Sequence, residues 1–336
     1  QLGIPAERIV KLDANENLFG PSPRAVEAIA AAKDLNIYPD PDQGKVRQAI
    51  GEYLGVPPEI VVAGVGSDEL IQVLVSVFAG PGDRILNLVP TFGMYESAAA
   101  TTGAEILNVR RREDYTIDVE AARAAVDGRT KLVFVASPNN PSGTPLSMGE
   151  LEGLLGLGIA VVVDEAYAEF AGTNYCRLVT EYPNLIGLRT LSKWAGLAGM
   201  RIGYGVFPES IVDVIRTVRQ PYSLSVASQA ALLASLEDRG FLMERVALIV
   251  AERERLMRRL GEISFLRPHP SSANFVFVDV VSRDAKEVRD TLRGEGIFVR
   301  HYANPLISNA IRVSVGLPEH TDRLIAALRK MEPSNG

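Results

Sequence analysis

The chain has 336 residues, and this length predicts about two domains with a substantial core. Hydrophobic residues make up 47% and charged residues 23%, as in ordinary globular proteins, and no apolar run approaches the roughly 20 residues that cross a bilayer. The net charge of -6 argues against general binding to nucleic acid, because such proteins need an excess of basic residues to displace counterions from phosphates.

One cysteine and three separate histidines limit the chemistry of this chain. Cys176 has no partner for an intrachain disulfide and the residues from Gln1 onward lack a secretory signal, so we expect a cytoplasmic protein. His269, His301 and His320 do not have the spacing of a metal site, and we expect no metal. The sequence also has neither a G-x-S-x-G elbow nor a G-x-x-x-x-G-K-[ST] phosphate loop.

Short apolar runs alternate with amphipathic stretches up to about residue 240, an order typical of a mainly parallel sheet with helices on both faces. Seven strands are predicted there, at 60–63, 84–89, 105–109, 131–136, 159–163, 185–190 and 202–206. Two helical stretches follow residue 208, and a long charged helix over 241–260 is predicted to link two domains. The remainder predicts strands at 273–279, 297–300 and 310–315, a helix at 285–295 and a last helix from Glu319.

We therefore predict an α/β protein with a seven-stranded mainly parallel sheet in a large domain and a smaller α+β C-terminal domain. The predicted boundaries are residues 1–30 for an N-terminal segment that packs with the small domain, 31–240 for the large domain and 241–336 for the small domain. Ligands of open parallel sheets bind beyond the carboxyl ends of the strands, so we expect the chemistry in the loops that follow the strands.

Two of these loops have the composition of ligand-binding turns. Residues 64–69 join a strand to an apolar helix, and free N–H groups at the helix start can bind a phosphate there, with Ser67 as a helix cap. A tight turn with an ordinary cap is the alternative, and the third glycine of a dinucleotide fingerprint is missing. Residues 137–143 contain Asn139 and Asn140, whose amides can donate to a ligand oxygen, although turn chemistry alone also explains them.

Two other loops carry charged groups at strand ends. Asp164 follows the apolar residues 161–163, so its carboxylate is desolvated unless a cation faces it. We expect a protonated partner, with a structural salt bridge as the alternative. Lys193 lies between a strand end and a glycine-containing run that lets the backbone approach a ligand closely. A buried lysine of depressed pKa can form a Schiff base with a carbonyl, whereas most lysines are solvated surface charges.

Eight ordered motifs cover nearly the whole chain and resemble the fold type I pyridoxal-phosphate-dependent aminotransferases. Within that class the chain resembles most closely the histidinol-phosphate aminotransferases. The motifs are LDANEN at 12–17 with GPSP at 20–23, YPD at 38–40, GSDE at 66–69, PTF at 90–92, NNPSG at 139–143, DEAY at 164–167, SK at 192–193 with Arg201, and IRVS at 311–314.

The resemblance implies pyridoxal 5'-phosphate as the cofactor and a role for each motif. Lys193 would hold the cofactor covalently and move the proton at the substrate α-carbon. Asp164 would keep the pyridine nitrogen protonated. Asn140 and Tyr167 would hydrogen-bond the phenolic oxygen of the ring, and Phe92 would stack on its face. The cofactor phosphate would be bound by Ser67, Asp68, Ser192 and Arg201, with Tyr38 reaching it from a second subunit of a homodimer.

The resemblance also implies substrate contacts. Arg312 matches the arginine that grips a carboxylate or its replacement, for which a planar guanidinium is suited. Arg300 matches the position that contacts the distal phosphate of histidinol phosphate, and a surface salt bridge is its alternative role. Asn15 is a further candidate in this pocket. The family pattern differs at Leu18, Val65 and Trp194, and members carry a further N-terminal arm, which would precede Gln1.

The implied reaction transfers an amino group between L-glutamate and imidazole-acetol phosphate, giving histidinol phosphate and 2-oxoglutarate, a step of histidine biosynthesis. An aromatic amino-acid aminotransferase on the same scaffold is the first alternative. A pyridoxal-phosphate-dependent decarboxylase of a phosphorylated amino acid is the second. A nicotinamide-dependent oxidoreductase is disfavoured by the missing third glycine and by the context of Lys193. A non-catalytic binding module is the least favoured, because it would not need Lys193, Asp164 and Asn140 together. The expected partners are a small-molecule amino donor and a keto acid, without nucleic acid or membrane.

Overall fold

The computed structural model describes residues 4–332, which form two β-sheets and the helices packed against them. Gln1, with the arm expected to precede it, lies outside these residues. None of the helices in the described part of the chain has the length and apolar character that a membrane span requires.

The strands are short and mostly buried. In chain order they are β1 (Val10–Leu12), β2 (Val61–Val65), β3 (Arg84–Val89), β4 (Glu105–Arg110), β5 (Thr130–Ala136), β6 (Ala160–Asp164), β7 (Leu185–Thr190), β8 (Ile202–Val206), β9 (Leu266–Pro268), β10 (Phe275–Val280), β11 (Ile297–His301) and β12 (Ala310–Ser314).

The helices occupy the amphipathic stretches between the strands. They are α1 (Pro23–Ala30), α2 (Gly44–Leu54), α3 (Gly66–Phe78), α4 (Met94–Thr102), α5 (Val119–Ala125), α6 (Met148–Leu155), α7 (Ala168–Ala171), α8 (Glu209–Val218), α9 (Val226–Glu237), α10 (Arg239–Gly261), α11 (Ala285–Gly294) and α12 (Pro318–Arg329).

The larger sheet has seven strands in the order β2-β8-β7-β6-β5-β3-β4. Its strands are parallel except for β8, which runs antiparallel to both β2 and β7. Central strands such as β6, with its run of valines, are buried on both faces, which is why they read as continuous apolar runs. The seven strands and the mainly parallel arrangement predicted from the sequence are confirmed, with ends that differ by no more than two residues.

The direction of β8 matters for the site. Parallel neighbours need a long crossover, whereas only residues 191–201 separate β7 from β8, so β8 returns antiparallel. Because β8 runs the opposite way, its first end lies at the edge where the parallel strands have their carboxyl ends. Arg201, immediately before β8, therefore reaches the same edge as Asp164 and Lys193.

The smaller sheet has the order β1-β11-β12-β10-β9 and is antiparallel except for the pairing of β1 with β11. That pairing joins the start of the chain to the C-terminal sheet through Val10 and Ile297. Helix α10 packs against β9 and β10 of this sheet and against α7 of the other part. The division of the chain at residues 30 and 240 stays a prediction.

Candidate active site

A cavity of about 610 Å³ lies at the carboxyl edge of the seven-stranded sheet, where the smaller sheet covers it. Loops after β2, β3, β5, β6 and β7 form one wall, and residues of β11, β12 and the segment after β1 form the other. All the site residues predicted from the sequence except Tyr38 line this cavity. They are Asn15, Ser67, Asp68, Phe92, Asn140, Asp164, Tyr167, Ser192, Lys193, Arg201, Arg300 and Arg312.

Lys193 follows β7, and its side chain is half-buried in the cavity wall. Its Nζ donates to the carbonyl oxygen of Ala14 at 3.2 Å. Burial, followed by the positive charge of Arg312, lowers the pKa of the Lys193 amine to about 8. The next residue, Trp194, is fully buried, and its carbonyl accepts a hydrogen bond from Asn17 Nδ2 at 2.9 Å. The backbone beside the amine is thus held by the N-terminal segment.

Asp164 ends β6 and is only 4% exposed. The hydroxyl of Tyr95 donates to its Oδ2 at 2.9 Å, and the N–H of Ala166 donates to its Oδ1 at 3.2 Å. Burial nevertheless raises the pKa of Asp164 to about 6, because these two donors do not replace the lost hydration. The prediction of a desolvated carboxylate that needs a cationic partner therefore fits the geometry at the end of β6.

A third part of the cavity wall is formed by the first turn of α3 and by Arg201. Gly203 approaches the start of α3 so closely that a Cβ on it would lie 2.1 Å from the backbone carbon of Gly66. Arg201 has a left-handed backbone, φ 50°, and its Nη2 donates to Asp68 Oδ2 at 2.8 Å. The prediction that Ser67 caps α3 is wrong, because Val65 occupies the capping position and offers no side-chain acceptor. The N–H of Gly66 donates to the carbonyl of Arg201 at 3.1 Å, and the next N–H groups, of Ser67 and Asp68, are left without a side-chain cap, as an anion site requires.

Arg312 on β12 connects the two walls. It donates through Nη1 to Asn140 Oδ1 at 2.6 Å and through Nη2 to the carbonyl of Asp13 at 2.7 Å. Its guanidinium carbon also lies 5.3 Å from the ring centroid of Phe275. The Asn140 oxygen is thus engaged by the arginine, and its amide nitrogen is the group that can donate to a ligand.

Asn15 is held in the wall beside the aromatic residue Tyr167. Its Nδ2 donates to the Tyr167 hydroxyl at 3.0 Å, and its Oδ1 accepts from the Ser314 hydroxyl at 2.8 Å. Phe92 lies further along the cavity, edge-on to Tyr95 with ring centroids 5.8 Å apart. Ser192 shares a hydrogen bond with the Thr190 hydroxyl at 2.9 Å.

Arg300 lies on β11 directly opposite Arg312 of β12 in the strand register. Both arginines therefore reach the cavity from one face of the smaller sheet.

Tyr38, by contrast, lies outside the cavity of its own chain, is 77% exposed and stacks on Tyr222 with centroids 4.4 Å apart. Its predicted contact with a second subunit stays a prediction.

Sequence reasoning missed several residues of the site. Tyr95 was one, in the first turn of α4, and only its place three residues after Phe92 in the sequence could have indicated it. Tyr302 was another, two residues beyond Arg300 on an extended segment and therefore on the same side. Asn139 was considered a ligand donor, but its Nδ2 donates instead to Pro90 O and Ser142 Oγ, so it shapes the loop.

The residues present fit pyridoxal 5'-phosphate by the chemistry of their groups. An amine of lowered pKa suits an aldehyde, a buried carboxylate suits a cationic ring nitrogen, and an uncapped helix start beside an arginine suits a phosphate. Among residues 4–332 no group of three or more His, Cys, Asp or Glu side chains has an arrangement that could hold a metal ion.

Comparison with known proteins gives a consistent assignment. The family model for aminotransferase class I and II matches residues 7–328. Histidinol-phosphate aminotransferase from Roseiflexus castenholzii is 47% identical over 98% of this chain and 92% of its own length, and that from Dehalococcoides mccartyi strain CBDB1 is 45% identical over 96% and 90%.

A solved structure agrees with these sequence relatives. Histidinol-phosphate aminotransferase from Sinorhizobium meliloti, in complex with pyridoxal-5'-phosphate, superposes with a TM-score of 0.89 at 30% identity over 96% of this chain and 92% of that one. The fold type I architecture, the transaminase class and the pyridoxal-phosphate cofactor predicted from the sequence are confirmed. The chain belongs to the class I and II aminotransferase family.

Proposed function

We propose that this chain is a histidinol-phosphate aminotransferase that works as a homodimer and alternates between L-glutamate and imidazole-acetol phosphate as reaction partners. One observation carries the proposal. The amine of Lys193 and the carboxylate of Asp164 lie on one wall of a cavity whose other wall presents Arg300 and Arg312 as register partners. Curated relatives of this name, 47% and 45% identical to the chain, support the substrate assignment.

When bound, pyridoxal 5'-phosphate accepts the electron pair left when the α C–H bond of the substrate breaks. Lys193 takes that proton and returns it, and its lowered pKa of about 8 keeps a useful share of the amine neutral near pH 8. Asp164, itself held by the Tyr95 hydroxyl, would accept a hydrogen bond from the protonated nitrogen of the ring. Asn140 and Tyr167 would donate to the ring oxygen, and Phe92 would cover the ring face.

The proposed phosphate site of the cofactor consists of the first N–H groups of α3 and the side chains around them. Arg201 supplies the positive charge, and its present partner Asp68 is partly exposed and can release it to a phosphate. Ser67 and Ser192 add hydroxyl donors at the same end of the cavity. These residues would hold the cofactor by its phosphate and so position it for reaction with Lys193.

Substrate selection is assigned to the arginines of the smaller sheet. Arg312 is buried at 6% exposure and has a planar guanidinium that can bind a carboxylate or phosphate through two parallel hydrogen bonds. Arg300 is exposed to the cavity mouth and adds a second positive charge. Two cations on adjacent strands suit a phosphate dianion better than an uncharged aromatic side chain, which favours histidinol phosphate over an aromatic amino acid.

The dimer is proposed from the surface around Tyr38. Leu35, Ile37, Tyr38 and Tyr222 are all exposed, and a second copy would cover these apolar groups. A Tyr38 hydroxyl that contributes nothing to its own cavity is free to contact the cofactor phosphate of the partner.

The cytoplasmic setting rests on the lone cysteine, Cys176, and remains a proposal.

The cofactor assignment is tested by visible absorbance. Purified protein with pyridoxal 5'-phosphate is expected to be yellow and to change its spectrum when L-glutamate is added. Lys193→Ala should lose both the change and turnover, whereas Lys131→Ala, at a partly exposed lysine near the start of β5, should keep both. A protein that never takes up the cofactor would contradict the proposal.

The substrate assignment is tested by comparing kcat/KM for histidinol phosphate and phenylalanine. Arg300→Ala should lower the value for histidinol phosphate by roughly tenfold to a hundredfold and leave phenylalanine nearly unchanged, because a charged hydrogen bond is lost only with the phosphate. Arg267→Ala, an exposed arginine on β9 of the same sheet, is the matched control. Equal losses for both substrates would show that Arg300 does not recognise the substrate phosphate. Carbon dioxide release from a phosphorylated amino acid would favour the decarboxylase instead.

A further inference from the structure

Tyr302 lies at the cavity wall and has no part in the proposed cofactor site. It follows β11 directly, two residues after Arg300, so both side chains leave the extended segment on the same side. The guanidinium carbon of Arg300 lies 5.8 Å from the Tyr302 ring centroid, which places the cation beside the aromatic ring. Arg300 and Tyr302 therefore form one unit at the substrate end of the cavity.

The Tyr302 ring is held in place by packing. It packs on the fully buried Phe277, with ring centroids 6.5 Å apart, in a cluster that includes Ile307. The loop that carries it is closed where the ring nitrogen Nε2 of His301 meets the carbonyl of Ser308 at 2.9 Å. The direction of the tyrosine is thus set by packing before any ligand binds.

The hydroxyl oxygen of Tyr302 is buried, and no group within residues 4–332 is hydrogen-bonded to it. Such orphaned polar groups are rare in folded proteins and mark places where a ligand or water completes the bond. Burial raises the pKa of Tyr302, so the group is a protonated donor at neutral pH. The charges of Arg312 and Arg300 oppose this rise, and Tyr167 adds to it.

We infer that Tyr302 is a specificity-determining residue whose hydroxyl donates to an oxygen of the substrate phosphate held by Arg300 and Arg312. This inference rests on the proposed function. A carboxylate has two oxygens, and the guanidinium of Arg312 alone can satisfy both. A phosphate has a third oxygen that projects out of that plane, and the orphaned hydroxyl supplies a donor for it. Tyr302 then favours the phosphorylated substrate without improving the binding of glutamate.

The test uses the complete holoenzyme with Tyr302→Phe, which keeps the ring and its packing and removes only the hydroxyl. The absorbance change on titration with histidinol phosphate gives its Kd, and steady-state assays give kcat/KM for histidinol phosphate, dephosphorylated histidinol and L-glutamate. We expect histidinol phosphate to bind roughly tenfold more weakly, as for the loss of one hydrogen bond to a charged group. Values for histidinol and L-glutamate should stay within about twofold.

Tyr115→Phe is the matched control, since Tyr115 packs edge-on against the same Phe277 at 5.6 Å and does not line the cavity. It should leave all three substrates unchanged. Equal losses for histidinol phosphate and L-glutamate, no loss for either, or the same loss in Tyr115→Phe would overturn the role of Tyr302. Wild-type protein that does not turn over histidinol phosphate at all would instead overturn the proposed function, so the two failures are distinguishable.

Discussion

At the scale of single residues, the site depends on two ionisable groups whose pKa values burial shifts in opposite directions, downward for Lys193 and upward for Asp164. The amine of Lys193 is shifted towards its neutral form, and the carboxyl of Asp164 is also shifted towards its neutral form. Both shifts arise because neither ion is fully solvated in the cavity wall. Each is relieved by the same ligand, since the amine reacts with an aldehyde and the carboxylate pairs with a ring cation.

The pKa of Lys193 predicts how cofactor uptake depends on pH. Only the neutral amine adds to an aldehyde, so the rate of uptake by the apoprotein should rise with a midpoint near pH 8 instead of near the ordinary 10.5. Arg312→Met removes the positive charge that lowers this pKa most and should raise that midpoint. Stopped-flow absorbance at several pH values measures it, with Arg300→Met as the control. A midpoint that Arg312→Met leaves in place would contradict the electrostatic explanation.

The raised pKa of Asp164 predicts that the stability of the folded chain changes with pH. Its pKa is about 6 in the folded chain and ordinarily 3.8, so the folded state binds the proton more tightly. Its contribution to stability is therefore full below about pH 4 and is lost as the pH rises towards 6. Asp164→Asn should make the apoprotein more stable than wild type at pH 7 by about 1 to 3 kcal/mol, with little difference near pH 4.

Urea unfolding of the apoprotein at the two pH values measures this difference. Cofactor should reverse the order at pH 7, because only the wild-type carboxylate pairs with the ring cation. A constant difference between Asp164→Asn and wild type at pH 4 and pH 7 would show that burial of the charge is not its origin.

At the scale of elements, the approach of β8 to the start of α3 shapes the proposed phosphate site. Gly203 permits this approach, since a Cβ there would collide with the backbone of Gly66. Gly203→Ala should force the two elements apart and weaken pyridoxal 5'-phosphate binding by at least roughly tenfold, with some loss of stability. Gly199→Ala, in the preceding loop with open space around it, should change neither. Titration of the apoprotein with cofactor compares the two, and equal affinities would contradict the argument.

The sequence predicts the elements with a strong pattern and misses those without one. The strands of the large sheet are continuous apolar runs, and they were predicted within two residues. Strands β1 and β9 were missed, because three residues are too few to show any period. The antiparallel direction of β8 was also not predicted, since the period of a strand carries no direction.

Most residues that line the cavity were predictable from the sequence, but their contacts were not. Motifs at strand ends were expected to meet because the carboxyl ends of parallel strands share one edge. The bond between Arg312 and Asn140 joins residues 172 positions apart, one on β12 and the other in the loop after β5, and no local pattern indicates such a pair. The role of Asn139 in the loop and the failure of Ser67 to cap α3 likewise depend on backbone geometry that composition does not determine.

At the scale of the whole molecule, the cavity lies between two sheets that are built from distant parts of the chain. The smaller sheet takes its edge strand β1 from the start of the chain and its other strands from the end. Residues after β1 and residues of β12 then meet in the cavity, as in the bond from Arg312 to the carbonyl of Asp13. One chain thus supplies both walls, and a second copy is needed only for the proposed Tyr38 contact.

Mixed dimers test that shared site. In a dimer of one Lys193→Ala subunit and one Tyr38→Ala subunit, the cavity with an intact Lys193 receives its Tyr38 from the other subunit, and the second cavity carries both defects. Separately tagged mixed dimers should therefore regain about half of wild-type activity at limiting cofactor, because one of the two symmetric sites is complete. Mixing Lys193→Ala with Asp164→Ala should restore nothing, since both residues belong to one cavity wall. If the Tyr38→Ala mixture has no more activity than its parent homodimers, Tyr38 does not act across the interface.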